Sequence, residues 1–191
     1  MELFCTDIRG LDESRALYSR RSPRRGSAFG ISLLAYAVKQ VWGAELPQIG
    51  TSETGKPYFI ERPQWHFSIS HSRSHVLCAL SEFPVGVDVE TRREMCPAHI
   101  RRLTNGFDPG ELDIFQLWAL RESLYKLTGG GDLRSMPFSQ KGGVIYPPVP
   151  GVNCRIYDDI PGCAVAVCAF HGTFPEKIGF VPPNLICLGN N

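Results

Sequence analysis

Apolar and polar residues alternate in the run WHFSIS, where Trp65, Phe67 and Ile69 stand against His66, Ser68 and Ser70. A period of two predicts a strand with one buried face. HSRS follows as a turn, and HVLCALS is a second strand, apolar at almost every position. After the turn at Pro84 comes VGVDVE, a third strand rich in valine. Neighbouring strands joined by short turns predict an antiparallel meander. Two segments carry a helical period instead. In SAFGISLLAYAVKQVWG the residues Leu33, Leu34, Ala37, Val38 and Val41 recur with that spacing, and Gly43 is a stop signal. In LDIFQLWALRESLYKLTG the residues Leu117, Leu120, Leu124 and Leu127 make one stripe, with Gly129 as a C-terminal cap. TGKPYFI reads as a turn entering a short strand, and GGVIYPP, NCRIYDD and GCAVAVCAF read as further strands. TRREMCPAHIRRLTNGFDPGE is polar and turn-rich, with a short helix or a flexible segment in it. The Pro- and Gly-rich ending predicts no element.

The pattern is therefore α/β in the α+β sense: a helix followed by strands, stated twice. HVLCALS resembles CAVAVCAF, but too faintly to make a sequence repeat. The 191 residues suffice for one large domain or two small ones. With 43% hydrophobic and 20% charged residues, a packed core is expected rather than disorder. A formal net charge of +1 argues against general electrostatic binding of nucleic acid. The start, MELFCTDIRG, lacks the basic end and apolar centre of a signal peptide, and no apolar run reaches the length of a membrane span. Seven cysteines are scattered without a C-x-x-C pair. Several sit in strand-like apolar runs, as reduced core residues of a cytoplasmic protein would, and not as a zinc site.

VGVDVE raises the first chemical question, because it places Asp88 and Glu90 two residues apart in a hydrophobic strand. Such residues share a face, while Val87 and Val89 turn to the other side. Burial and mutual repulsion raise the pKa of such a pair. A hard cation such as Mg²⁺ between them would relieve that cost. The alternative is a strand end with two solvated acids. In WALRESLYK, Trp118, Glu122 and Lys126 are spaced by four and share the side roughly opposite the leucine stripe. They line a cleft or form an ordinary surface Glu–Lys pair. SISHSRSH gathers Ser70, His71, Ser72 and His75. Adjacency in sequence is not triad geometry, so a Ser–His hydrolase has no support from it. Either His71 is a hydrogen-bonded turn residue, or the imidazole and hydroxyls donate to phosphate oxygens. Lys56 stands on the rigid GKP turn, and Arg20, Arg21, Arg24 and Arg25 form either a phosphate-binding patch or a solvated loop.

Taken in order, TGKPYF, HFSISHS, GVDVE and WALRESLYK resemble the successive motifs of the Sfp-type 4′-phosphopantetheinyl transferase superfamily. Those motifs read G-K-P, F-[NS]-[IL]-S-H-S, G-[IV]-D-[IV]-E and W-x-x-K-E-[SA]-x-x-K. The match runs from Gly55 to Lys126. The resemblance implies two similar helix-plus-antiparallel-sheet halves, here 1–83 and 84–191, packed as a pseudo-dimer around a cleft that binds coenzyme A. It implies Mg²⁺, or Mn²⁺, held by Asp88, Glu90 and Glu122. It implies attack by a serine of an acyl carrier protein or peptidyl carrier protein on the β-phosphorus of coenzyme A, with release of 3′,5′-ADP. Lys126 would contact the α-phosphate, and Glu122 would act as general base, directly or through water. Lys56, Ser70 and His71 match positions that touch the nucleotide or its phosphates, and Arg25 is the counterpart for the 3′-phosphate. The carrier would dock on the segment from Met95 to Phe107, with Met95, Ile100, Leu103 and Phe107 as apolar contacts or as local packing. One chain supplying both sides of the cleft implies a monomer.

The sequence departs from the family in places. Arg121 stands where a lysine is usual, Ser68 takes the motif asparagine, and the segments after Glu90 and after Lys126 are short. Two other readings stay open: a Mg²⁺-dependent hydrolase of a nucleotide pyrophosphate, and a relative that binds coenzyme A or carriers without catalysis.

Overall fold

The computed structural model describes residues 1–18 and 27–187. Fourteen elements matter here. They are β1 (Glu2–Asp7), α1 (Ser27–Trp42), β2 (Ile49–Thr51), β3 (Pro57–Phe59), β4 (His66–His71), β5 (His75–Ser81), β6 (Val85–Thr91), α2 (Pro97–Thr104), α3 (Ile114–Thr128), β7 (Ser139–Lys141), β8 (Val144–Tyr146), β9 (Asn153–Tyr157), β10 (Cys163–Ala169) and β11 (Gly179–Phe180). The fold is α+β. One sheet has the order β11-β1-β5-β4, a second has β6-β10-β9, and β2–β3 and β7–β8 are small hairpins.

The layers follow from the side-chain period. Every residue of β5 is buried. Val76, Cys78 and Leu80 face Phe29, Leu33 and Leu34 of α1, while Leu77 and Ala79 turn toward the second sheet. β10 divides in the same way: Val165 and Val167 face the first sheet, and Ala166 and Cys168 face Leu117, Leu120 and Leu124 of α3. Strands covered on both faces read as continuous apolar runs. That explains why HVLCALS and CAVAVCAF look alike. The molecule is thus layered helix, sheet, sheet, helix.

The predicted meander holds for β4 and β5, which pair antiparallel from His66↔Ser81 to His71↔Val76. It stops at Pro84. β6 leaves the first sheet and pairs with β10, with Asp88 opposite Ala166 and Glu90 opposite Ala164. The two sheets then meet through side chains: the Ser68 and Ser70 hydroxyls accept from the Val87 and Val89 N–H groups at 3.1 and 3.4 Å. For that reason β4 is not the half-buried strand its alternation predicts, since Ser68 and Ser70 are both buried.

Helix ends obey local rules. Asp113 accepts from the Phe115 and Gln116 N–H groups while the Gln116 side chain accepts from the Asp113 N–H, a reciprocal cap on α3. Gly129 closes the helix in the left-handed conformation (φ 78°). Gly43, with φ 63°, follows the last residue of α1. The polar segment after β6 contains the short helix α2. The ending has structure that its composition hid. β11 pairs parallel with β1, and Val181 and Ile186 are buried in the core beneath α1. The last described residues therefore pack on elements of the first 83. No described helix is long and apolar enough to cross a membrane.

Candidate active site

The site grows from the contact of β6 with α3. Gly86 lies on the β6 face that also bears Asp88. A Cβ there would stand 1.9 Å from the Ser123 carbonyl oxygen, so only glycine lets α3 ride directly on the strand. This close approach brings the acids of β6 under the helix. The Ser123 hydroxyl, donating within 2.8 Å of the Ala166 oxygen, fastens α3 to β10 as well. Arg92 donates to Asp113 at 2.8 Å and ties the end of β6 to the start of α3.

Asp88 is the centre of the arrangement, only 4% exposed. Its Oδ1 accepts from the Ser70 hydroxyl at 2.6 Å and from the Lys126 ammonium at 2.7 Å. Lys126 also donates to the Val87 oxygen at 3.0 Å. The other carboxylate oxygen, Oδ2, is buried and has no hydrogen-bond partner among the described residues. Leaving a buried charged oxygen unpaired costs about 1–3 kcal/mol or more. Glu90 and Glu122 sense this centre. Burial, and then the Asp88 charge, push the Glu90 carboxyl up to about 7, with Glu122 adding to the rise. Glu122 is raised for the same two reasons, burial first and Asp88 second. Arg93 stands 3.8 Å from Glu90 and opposes its rise.

These acids are the oxygen donors a hard divalent cation prefers. The unpaired Oδ2 of Asp88 and the raised carboxyls beside it fit such an ion. Among the described residues, however, no three His, Cys, Asp or Glu side chains already stand as a ligand cluster.

Trp118, Glu122 and Lys126 are all half-buried, so that side of α3 is neither core nor solvated surface. His71, at the end of β4, lines an open cleft of about 620 Å³ with Glu13, Arg73, Glu90 and Arg93. Loss of water around the ring, and then the Lys126 charge, pull its pKa below the ordinary value. Lys56 lines a smaller cavity of about 190 Å³ with Ser68, Tyr125 and Lys126. Its ammonium donates to the Leu127 oxygen at 3.0 Å, one of the last carbonyls of α3, and burial lowers its pKa. Ser70 is spent within the protein, holding Asp88 and β6. Arg25, like Arg20, Arg21 and Arg24, lies outside the described residues. Of the four apolar residues assigned to docking, Met95 and Leu103 line a groove of about 200 Å³ with Glu90, Phe115 and Trp118.

Sequence reasoning missed the bridging role of Ser68 and the cleft-lining Glu13, Arg73 and Arg93. Arg93 alone left a signal, three residues after Glu90 and of opposite charge. It also missed that Arg121 is buried at 1% exposure, away from the cleft.

A buried acid held by a lysine across a strand–helix contact, with two further raised carboxyls and lysine and arginine side chains lining the cavities nearby, is an arrangement chemically able to hold a cation and an anionic ligand together. The comparisons agree in sequence. The chain is 34% identical over 152 residues to the 4′-phosphopantetheinyl transferase Sfp of Bacillus subtilis (strain 168), covering 70% of this chain and 68% of the relative. It is 30% identical over 190 residues to a second 4′-phosphopantetheinyl transferase of Bacillus subtilis, covering 87% and 83%. To the 4′-phosphopantetheinyl transferase ffp of the same species it is 31% identical over 152 residues, covering 70% and 68%. No family profile matches. The chain belongs to the Sfp-type 4′-phosphopantetheinyl transferase superfamily. Its enzyme class is that of these relatives, 4′-phosphopantetheinyl transferase, and coenzyme A is the substrate that class implies.

Proposed function

We propose that this protein moves 4′-phosphopantetheine from coenzyme A to a serine of an acyl or peptidyl carrier protein and releases 3′,5′-ADP. The observation that carries the reading is the Asp88 centre: one oxygen held by Ser70 and Lys126, the other buried and unpaired among the described residues. Asp88, Glu90 and Glu122 would hold Mg²⁺, with Mn²⁺ as a substitute. Bound there, the ion would neutralise pyrophosphate charge that repels the incoming nucleophile.

The residues of the chain have definite tasks in this reading. Ser70 fixes the Asp88 rotamer, so the acid needs no reorganisation when substrate arrives. Lys126 can turn from Asp88 toward the α-phosphate and stabilise charge on the leaving group. Lys56 and Lys126 give one cavity a cationic wall, and Arg73 with Arg93 adds positive charge in the open cleft, where His71 offers a neutral hydrogen-bonding ring. Coenzyme A phosphates suit both, and Arg25 remains the counterpart for the 3′-phosphate. The carrier serine oxygen forms a bond to the β-phosphorus as the bond to the bridging oxygen of the ADP moiety breaks. The serine proton passes to Glu122, directly or through water, and the carboxylate can accept it only if its geometry leaves an oxygen free of the ion.

The pairing of α1 with β4–β5 and of α3 with β6–β10 supports a two-half reading of 1–83 and 84–191, except that the tail from β11 onward packs with the first half. We also propose a cytoplasmic monomer. Intact-mass analysis of an apo acyl carrier protein, incubated with the protein, coenzyme A and Mg²⁺, tests the function. One added phosphopantetheine, absent with EDTA, is the expected result. No mass change across fatty-acid, polyketide and peptidyl carriers overturns it.

A further inference from the structure

Arg121 stands where the family pattern has a lysine, yet it does not face the cleft. It is 1% exposed. Its Nε donates to the Met136 oxygen at 2.9 Å and its Nη1 to the Leu103 oxygen at 2.5 Å. Neither partner is a carboxylate. Asp132 acts on it only through charge, opposing the fall in pKa that burial causes. Two backbone carbonyls thus hold the buried guanidinium through Nε and Nη1. Leu103 lies in the last turn of α2, where helix carbonyls lack intrahelical partners and a cation is favoured.

The consequence lies in α2 itself. None of its residues is buried. A helix with so little apolar cover is held by specific bonds, and the Arg121 fork supplies one at its C-terminal end. The groove of about 200 Å³ beside Glu90 is walled by Met95, His99 and Leu103 on one side and Phe115 and Trp118 on the other. Its width therefore depends on where α2 sits relative to α3. Arg121 precedes Glu122 in sequence, so one helical turn both anchors that wall and presents a site carboxylate.

We propose that Arg121 is a positioning residue that fastens α2 to α3 and thereby sets the groove receiving the carrier protein. The proposal rests on the transferase reading above. A lysine cannot replace the fork, because a single ammonium does not span two carbonyls approached through Nε and Nη1. Conservation of charge at this position is not conservation of the contact.

The test pairs Arg121→Met and Arg121→Lys with two measurements: amide hydrogen exchange by mass spectrometry, and steady-state kinetics with an apo carrier and coenzyme A. In Arg121→Met, exchange in residues 97–104 is expected to speed up about tenfold, with α1 and β5 unchanged. The KM for the carrier is expected to rise about tenfold, with kcat and the KM for coenzyme A within about twofold. Arg121→Lys is expected to fall between the two, and it carries the test if the methionine variant does not fold. Wild-type exchange in α2 overturns the proposal, and so does an equal rise in both KM values. If the wild-type protein modifies no carrier, the transferase reading fails, and exchange in α2 still decides whether Arg121 anchors that helix.

Discussion

Lys126 and Asp88 meet across the contact between α3 and β6, Nζ to Oδ1 at 2.7 Å, while Oδ2 of the same carboxylate is buried without a partner among the described residues. A buried ion pair with one idle oxygen is poor design for stability, since desolvation is not fully compensated. It is good design for a site that must receive another charge.

Asp88→Asn separates the two roles. The amide keeps the shape and can accept from Ser70, but it removes the charge. Transfer is expected to fall by at least about a hundredfold in kcat/KM, with stability changed by about 1 kcal/mol or less. Carrier loading by mass spectrometry and urea unfolding check the two halves of this statement. Full activity in the variant removes Asp88 from the metal assignment.

Ser70→Ala removes a donor to Asp88 and an acceptor for the Val89 N–H, both within buried surroundings. A loss of about 1–3 kcal/mol is expected. Ser68→Ala should cost less, because its hydroxyl takes only the Val87 N–H at the sheet seam. Urea midpoints of the two variants give the order, and a reversed order contradicts a structural role for Ser70 beyond that of Ser68.

The sequence made some of this visible and concealed the rest. The helix α3 was legible because its leucine stripe and Gly129 are local signals. So was the divergence of Val87 and Val89 from Asp88, since a strand has a fixed period of two. The seam between β4 and β6 was not legible. Ser68 and Ser70 look like solvated residues of an amphipathic strand until a second strand edge is placed beside them. The return of β11 to β1 was hidden too, because a two-residue parallel pairing leaves no periodic trace. Arg121 shows a subtler limit: resemblance predicted its charge, but only tertiary packing shows that the charge faces away from the cleft.

Gly86→Ala tests the close approach that builds the site. The added methyl would meet the Ser123 oxygen at 1.9 Å, and backbone cannot move aside as a side chain can. A loss of about 3 kcal/mol is expected from the overpacking. Displacement of α3 should also weaken activity in the fraction that folds. Gly162→Ala at the surface turn is a less informative control, because its φ of 74° strains any side chain. The decisive comparison is between Gly86→Ala and Ala166→Gly, which loosens the same layer from β10. Only the former should lower kcat strongly per folded molecule.

The raised carboxyl of Glu90 makes a prediction about metal-free protein and pH. Its pKa rises from 4.5 to about 7 on folding. Between those values the folded state holds a proton that the unfolded chain has released, so stability falls as pH rises through this window. Glu122 acts in the same direction. His66, His71 and His75 act oppositely, because each is lowered in the fold and destabilises it as pH falls below the ordinary histidine range. The raw pH profile therefore mixes both. The difference between wild type and Glu90→Gln isolates one group. In EDTA the variant should gain melting temperature over wild type as pH rises from about 5 to about 8, and the gain should level off above that. Mg²⁺ should raise the wild-type melting temperature more at the alkaline end, where the carboxylates are free of protons. Parallel wild-type and Glu90→Gln profiles would remove Glu90 from the coupled set of acids around Asp88.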